Sequence, residues 1–135
     1  MEPPRLFADS SALIAAAHGD DPAHPRAARK FQRLASERAR VLAGPVALAE
    51  THYFFLRTRD RETAHEVLLA VLDSPLFEAV SLSPATLRRA LGLCRTTRLT
   101  TNDALVAQHA IDLGVPLLTL DADFRGVPGL SLEPW

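Results

Sequence analysis

Leu6-Phe7-Ala8-Asp9-Ser10-Ser11-Ala12-Leu13 reads as a short apolar strand that meets a carboxylate and then turns into a helix. A strand is expected at about 5–8 and a helix at about 11–18, with Ser10 or Ser11 able to cap it. Gly19-Asp20-Asp21-Pro22 breaks that helix. A second helix fits about 23–38, because Ala27, Ala28, Phe31, Leu34 and Ala35 recur at helical spacing. Val41-Leu42-Ala43 is a short buried strand, and Gly44-Pro45 turns the chain with Pro45 suited to a first helical position.

The alternation continues downstream. The helix expected at about 45–58 is nearly apolar all round, which predicts that it is largely buried. Helices follow at about 62–73, from Pro84 to about 94, and from Thr100–Asp103 to Gly114. Strands are expected at about 77–82, about 115–120 and about 130–132. Strands alternating with helices over 135 residues predict one α/β domain with a mostly parallel sheet. In that architecture the strand C-termini and the starts of the following helices share one edge, where ligands bind.

Four acids fall at that edge. Asp9 and Asp121 end predicted strands, and Glu50 and Asp103 sit in early helical turns. Carboxylates beside core segments are costly unless a positive charge lies among them, so their convergence calls for a divalent cation and suggests phosphate chemistry. Each acid also has an ordinary reading. Asp9 suits a helix cap, Thr100-Thr101-Asn102-Asp103 matches a capping box, and Asp121 with Asp123 suits a turn. Glu50 is the only acid in an apolar helix, which predicts a buried, charge-compensated carboxylate. Independent caps and turns have no reason to coincide at one edge; a shared pocket does.

Composition agrees with a globular domain: 47% hydrophobic, 23% charged. The net charge is −1, yet setting aside five of the 16 acids (Asp9, Glu50, Asp103, Asp121, Asp123) leaves 11 against 15 bases. A mildly basic surface around an acidic pocket suits a polyanion. Lys30 is the only lysine. Arg57, Arg59, Arg61, Arg88, Arg89, Arg95 and Arg98 are candidates for phosphate contacts or simply solvated faces. The lone Cys94 makes no disulfide within the chain and is expected to be a buried structural thiol. The five histidines show no ligand spacing. No signal-like run and no apolar stretch of about 20 residues is present, so no membrane contact and a cytoplasmic home are expected.

Taken together, Asp9-Ser10-Ser11-Ala12-Leu13, Leu48-Ala49-Glu50, Asn102-Asp103-Ala104-Leu105-Val106-Ala107 and Thr119-Leu120-Asp121-Ala122-Asp123-Phe124 resemble the PIN-domain ribonucleases, specifically the VapC-like toxins of type II toxin–antitoxin systems. The blocks span essentially the whole chain, residues 1–135. The resemblance implies a doubly wound parallel sheet flanked by helices. It implies Mg2+ or Mn2+ bound chiefly through Asp9 and Asp103, with Glu50 and Asp121 completing the acidic set. Ser11 and Thr119 match its supporting hydroxyls, and Asp123 either joins the pocket or only holds the turn. It further implies hydrolysis of RNA phosphodiesters to 5′-phosphate products, a homodimer, and a cognate antitoxin that blocks the pocket.

Other α/β chemistries fit less well. A haloacid-dehalogenase-type phosphatase needs a second Asp where Ser11 stands. A receiver domain needs a paired acid near the first strand and a late lysine. An inert α/β binding module leaves the full acidic set without a reason. A non-toxin PIN-domain RNA-processing nuclease is the serious alternative, separable by whether expression arrests growth.

Overall fold

The computed structural model describes residues 2–135. Strand β1 (Arg5–Ala8) leads into α1 (Ser10–Ala17), and α2 (His24–Ser36) returns the chain to β2 (Arg40–Ala43). Next come α3 (Pro45–Thr58), α4 (Arg61–Asp73) and the edge strand β3 (Phe77–Ala79). Then α5 (Pro84–Thr96) and α6 (Thr101–Leu113) pass over the sheet to β4 (Leu117–Leu118), and a single 3-10 turn follows at Ala122–Phe124. Pairing is parallel throughout, in the order β3-β2-β1-β4. Winding proceeds outward from β1 in both directions, so the doubly wound sheet has its switch point between β1 and β4. The crevice outside the C-terminal ends of those two strands is where such sheets bind ligands.

The period-two alternation of strand side chains divides the core. Phe7, Leu42 and Leu117 face α5 and α6, packing with Ala90, Leu93, Ala104, Val106, Ala107 and Ala110. Leu6, Ala8, Val41, Ala43 and Leu118 face the other way, onto Ala12, Leu13, Phe31 and Leu34 of α1 and α2. Every inner strand residue is therefore apolar on both faces, as a parallel sheet covered on both sides requires.

Several boundaries differ from the sequence-based expectation. Of the three caps open to α1, Asp9, Ser10 and Ser11, the structure uses Asp9: its carboxylate accepts from the Ala12 N–H at 3.0 Å. β4 holds only Leu117 and Leu118 instead of running over about 115–120. Pro116 has no N–H to offer; its carbonyl accepts from Phe7 at 2.8 Å, and after Leu118 the chain bends away. The strand expected at about 130–132 is a single bridge between Leu117 and Leu132, and β3 stops at Ala79. Helix α3 is not buried all round. Only Ala47, Thr51 and Phe55 are fully buried, and Tyr53 is 61% exposed. Cys94 is half-buried.

The C-terminal segment is tied across the sheet edge. Lys30, only 5% exposed, pairs with Glu133 at 2.8 Å. The Trp135 indole N–H donates to the Thr119 carbonyl at 2.8 Å, and the Arg26 guanidinium lies 5.4 Å from its ring centroid. Both bonds anchor the tail beside the strand end that leads to Asp121.

Gly44, between β2 and α3, is required for space. A Cβ there would lie 2.8 Å from His109 Nδ1 and 3.1 Å from Phe7 Cζ. The His109 ring rests on Phe7 at 5.0 Å between centroids, and burial holds its pKa below the ordinary value. Neither ring can retreat from a packed core. Gly44→Ala is expected to cost about 1–3 kcal/mol, read as a lower urea midpoint with an unchanged slope.

Candidate active site

Asp9 ends β1 at the switch point and is 5% exposed. Oδ1 accepts from Ser11 Oγ at 2.7 Å and from the Ala12 N–H; Oδ2 accepts from Thr119 Oγ1. Each hydroxyl has one hydrogen and gives it to Asp9. Each in turn accepts a backbone N–H from the loop after β4: Leu120 N–H donates to Ser11 Oγ and Asp121 N–H to Thr119 Oγ1, both at 2.9 Å. This lattice locks the β1–α1 corner to the loop carrying Asp121. Three of the roughly four acceptor positions of the Asp9 carboxylate are used, which leaves one free.

Asp103 reaches the same hollow from the first turn of α6. Thr100 caps that helix, accepting from the Asp103 N–H at 3.4 Å. Asp121 caps the 3-10 turn, accepting from the Asp123 N–H at 2.9 Å. Capping and pocket formation are thus one event: the caps orient the backbone so that the carboxylates meet. Oxygens of Asp103, Asp121 and Asp123 all lie within 4.8 Å of one another. Asp123 therefore stands in the cluster.

Glu50 approaches from α3. It is half-buried, not buried, and among the described residues no ion pair compensates it. Its oxygens accept from Ser10 Oγ at 3.1 Å and Asn102 Nδ2 at 3.4 Å. Ser10 and Asn102 were not legible as partners of Glu50; their only signal is adjacency to Asp9 and Asp103.

The electrostatics are those of uncompensated acids. Burial pushes the Asp9 carboxyl up, outweighing its three hydrogen bonds, and the charge on Asp121 adds to the rise. Asp103 is also raised, by burial and then by the charges of Asp121, Glu50 and Asp9, against the Thr100 hydrogen bond. Among the described residues the ion pairs are Lys30–Glu133, Arg40–Glu78 and Arg89–Asp112, so no Lys or Arg bridges any acid of the hollow. Arg89 is committed elsewhere: with Thr86 and Gln108 it holds Asp112, whose pKa falls to about 2. It is not free for a phosphate. Arg98 and Arg125 instead flank Asp123 in an adjoining groove.

The donor set is all-carboxylate, hard and negative, and it lacks a counter-charge. Such a set fits an oxygen-preferring divalent cation of the magnesium or manganese type. Among the described residues no helix is long and apolar enough to cross a membrane.

A family model described as PIN domain matches residues 6–130. Among solved structures, the VapC20 toxin of Mycobacterium tuberculosis, which cleaves the sarcin-ricin loop, superposes with a TM-score of 0.80 at 19% identity, covering 96% of this chain and 99% of that one. VapBC2 of Rickettsia felis, solved on a DNA fragment from its promoter, gives 0.79 at 20% identity, with 97% and 98% covered. A toxin–antitoxin complex from Klebsiella pneumoniae gives 0.65 at 18% identity, with 96% and 98% covered. At such identities the likeness is one of fold. No curated protein matches this chain in sequence.

Proposed function

We propose, from the premise that this chain belongs to the PIN-domain family, that it is a divalent-metal-dependent ribonuclease and the toxin of a toxin–antitoxin pair. The observation that carries the reading is the hollow at the switch point. Carboxylates from α6 and the loop after β4 converge there, Asp9 at the end of β1 feels the charge of Asp121 and acts on Asp103, and among the described residues no ion pair compensates them.

Asp9, Asp103 and Asp121 are assigned to the metal, with Glu50 and Asp123 completing the acidic set and Ser11 and Thr119 supporting Asp9. A bound Mg2+ or Mn2+ supplies Lewis-acid stabilisation of a phosphodiester and a nucleophilic water at neutral pH. The chain's part is to hold the acids before substrate arrives. Ser11 and Thr119 donate to Asp9 and so keep it an acceptor. The caps on α6 and the 3-10 turn hold Asp103 and Asp121 to their backbone. Arg98 and Arg125 at the rim are placed to hold RNA backbone, a contact that gives affinity without sequence choice. The neighbours that are toxins or toxin–antitoxin complexes support a cognate antitoxin as partner, and a homodimer is part of the same reading.

Purified protein is expected to cut single-stranded RNA with Mg2+ or Mn2+ and to leave it intact with chelator. Cleavage that persists in chelator would overturn the metal dependence. Expression should arrest growth, and co-expression of the antitoxin should relieve it; RNA cleavage without arrest would instead favour the RNA-processing alternative. Thr119→Val removes a hydroxyl that orients Asp9 and leaves the Asp121 N–H without its acceptor. Metal affinity or turnover is expected to fall by about 10–100-fold, read from rates across a magnesium titration.

A further inference from the structure

Beside the acidic hollow lies a second depression of about 530 Å³, bounded by Ser10, Ile14, Glu50, Tyr53, Arg57 and Asn102. A depression of this size is in the range of small-ligand sites. Glu50, Tyr53 and Arg57 follow one another along one face of α3, at helical spacings of three and four residues. From Glu50 to Arg57 that face runs about 10 Å outward from the acids. Among the described residues Tyr53 is the most exposed large hydrophobic, at 61%. Its neighbours Phe54 and Phe55 pack edge-on to each other and against His18, while Tyr53 has no aromatic partner among the described residues. The Arg57 guanidinium lies over it, 5.8 Å from the ring centroid.

We propose that Tyr53 is a stacking platform for a base of single-stranded RNA next to the scissile phosphate, with Arg57 holding a neighbouring phosphate. The inference rests on the ribonuclease reading above and adds to it a substrate-positioning residue. A single strand exposes a π-face with every nucleotide, and an aromatic ring beside a cation is the usual way to hold it without choosing sequence. The depression is bordered by a hydroxyl, an amide and a carboxylate as well as by Ile14. Its floor therefore meets the polar edge of a base better than a smooth apolar helix. The order acid, ring, cation also gives the strand a direction: reacting phosphate, base, flanking phosphate.

Binding of random-sequence single-stranded RNA, with chelator present to prevent hydrolysis, tests the platform by fluorescence anisotropy. Tyr53→Ala is expected to weaken binding about tenfold and Tyr53→Phe to leave it near wild type. Arg57→Ala should reduce the salt dependence by about one counterion. In cleavage assays with Mg2+, Tyr53→Ala should raise KM and spare kcat. Wild-type RNA affinity in Tyr53→Ala would overturn the proposal, as would an unchanged affinity accompanied by altered self-association in sedimentation, which would mark the face as a protein interface. Tyr53-dependent binding without any cleavage would support the platform and sink the nuclease reading; cleavage with a KM indifferent to Tyr53 would do the reverse.

Discussion

Asp103→Asn is expected to lower metal-dependent RNA cleavage by on the order of a thousandfold, since a lost metal ligand forfeits several kcal/mol of transition-state stabilisation. Asp9→Asn should act alike. The same Asp103→Asn protein is expected to melt higher than wild type in chelator. The Asp103 carboxyl titrates above 3.8 in the folded chain, because burial and the charges of Asp121, Glu50 and Asp9 disfavour its ionised form. A folded pKa above the unfolded one means that the native state binds more protons, so ionisation costs stability. That cost is complete above the raised folded value and absent below about 3.8. The advantage of the amide should therefore be greatest at neutral pH and vanish on acidification. Saturating magnesium should reverse the order, because it stabilises wild type through binding and the variant much less. Two readouts check this: initial rates on single-stranded RNA, and melting temperatures with and without metal at neutral and acid pH. Wild-type cleavage by the amide variant would end the assignment.

Glu133→Ala is expected to cost about 2–3 kcal/mol, the largest stability loss among exchanges outside the apolar core. Lys30 is covered by protein, and among the described residues Glu133 is its only salt-bridge partner. Removing one member of a buried pair leaves the other charge desolvated, a penalty of about 3–5 kcal/mol when both are deeply buried. Glu133 is 23% exposed, so water can approach and the figure is reduced. The double exchange Lys30→Met with Glu133→Leu should recover most of the loss, because an apolar pair of similar volume needs no counter-ion. Urea unfolding of the single and double variants decides the point; a Glu133→Ala midpoint equal to wild type would show that the pair contributes nothing. Catalysis should report the same change more faintly, since the tail also carries the Trp135 bond to Thr119.

The site was legible because position in an α/β chain has a geometric meaning. A carboxylate just past a strand, and one that opens the helix leading back into a parallel strand, emerge at the same edge. Asp9 follows β1, Asp121 lies in the loop after β4, and Asp103 opens α6, which returns the chain to β4. What stayed illegible depends on which side of an element is covered. Helix α3 is rich in apolar residues, yet α1, α4 and α6 cover only part of it, so Tyr53 and Glu50 reach solvent more than composition implied. Nor could the sequence choose between cap and pocket, because Asp9 and Asp121 do both at once. The short β4 follows from Pro116 and from Thr119 turning toward Asp9, a contact between residues 110 positions apart. Asp123 enters the cluster through the tight turn that Asp121 caps.

Surface cations that are almost all arginine have a practical consequence. Guanidinium groups ignore acylating reagents at neutral pH, and the single primary amine on a side chain, that of Lys30, is enclosed. Apart from the amino terminus, the native chain offers amine-directed reagents no exposed amine. Covalent capture of Lys30 would then proceed only when the tail releases it, making mass labelling at one position a direct clock for how often this molecule opens.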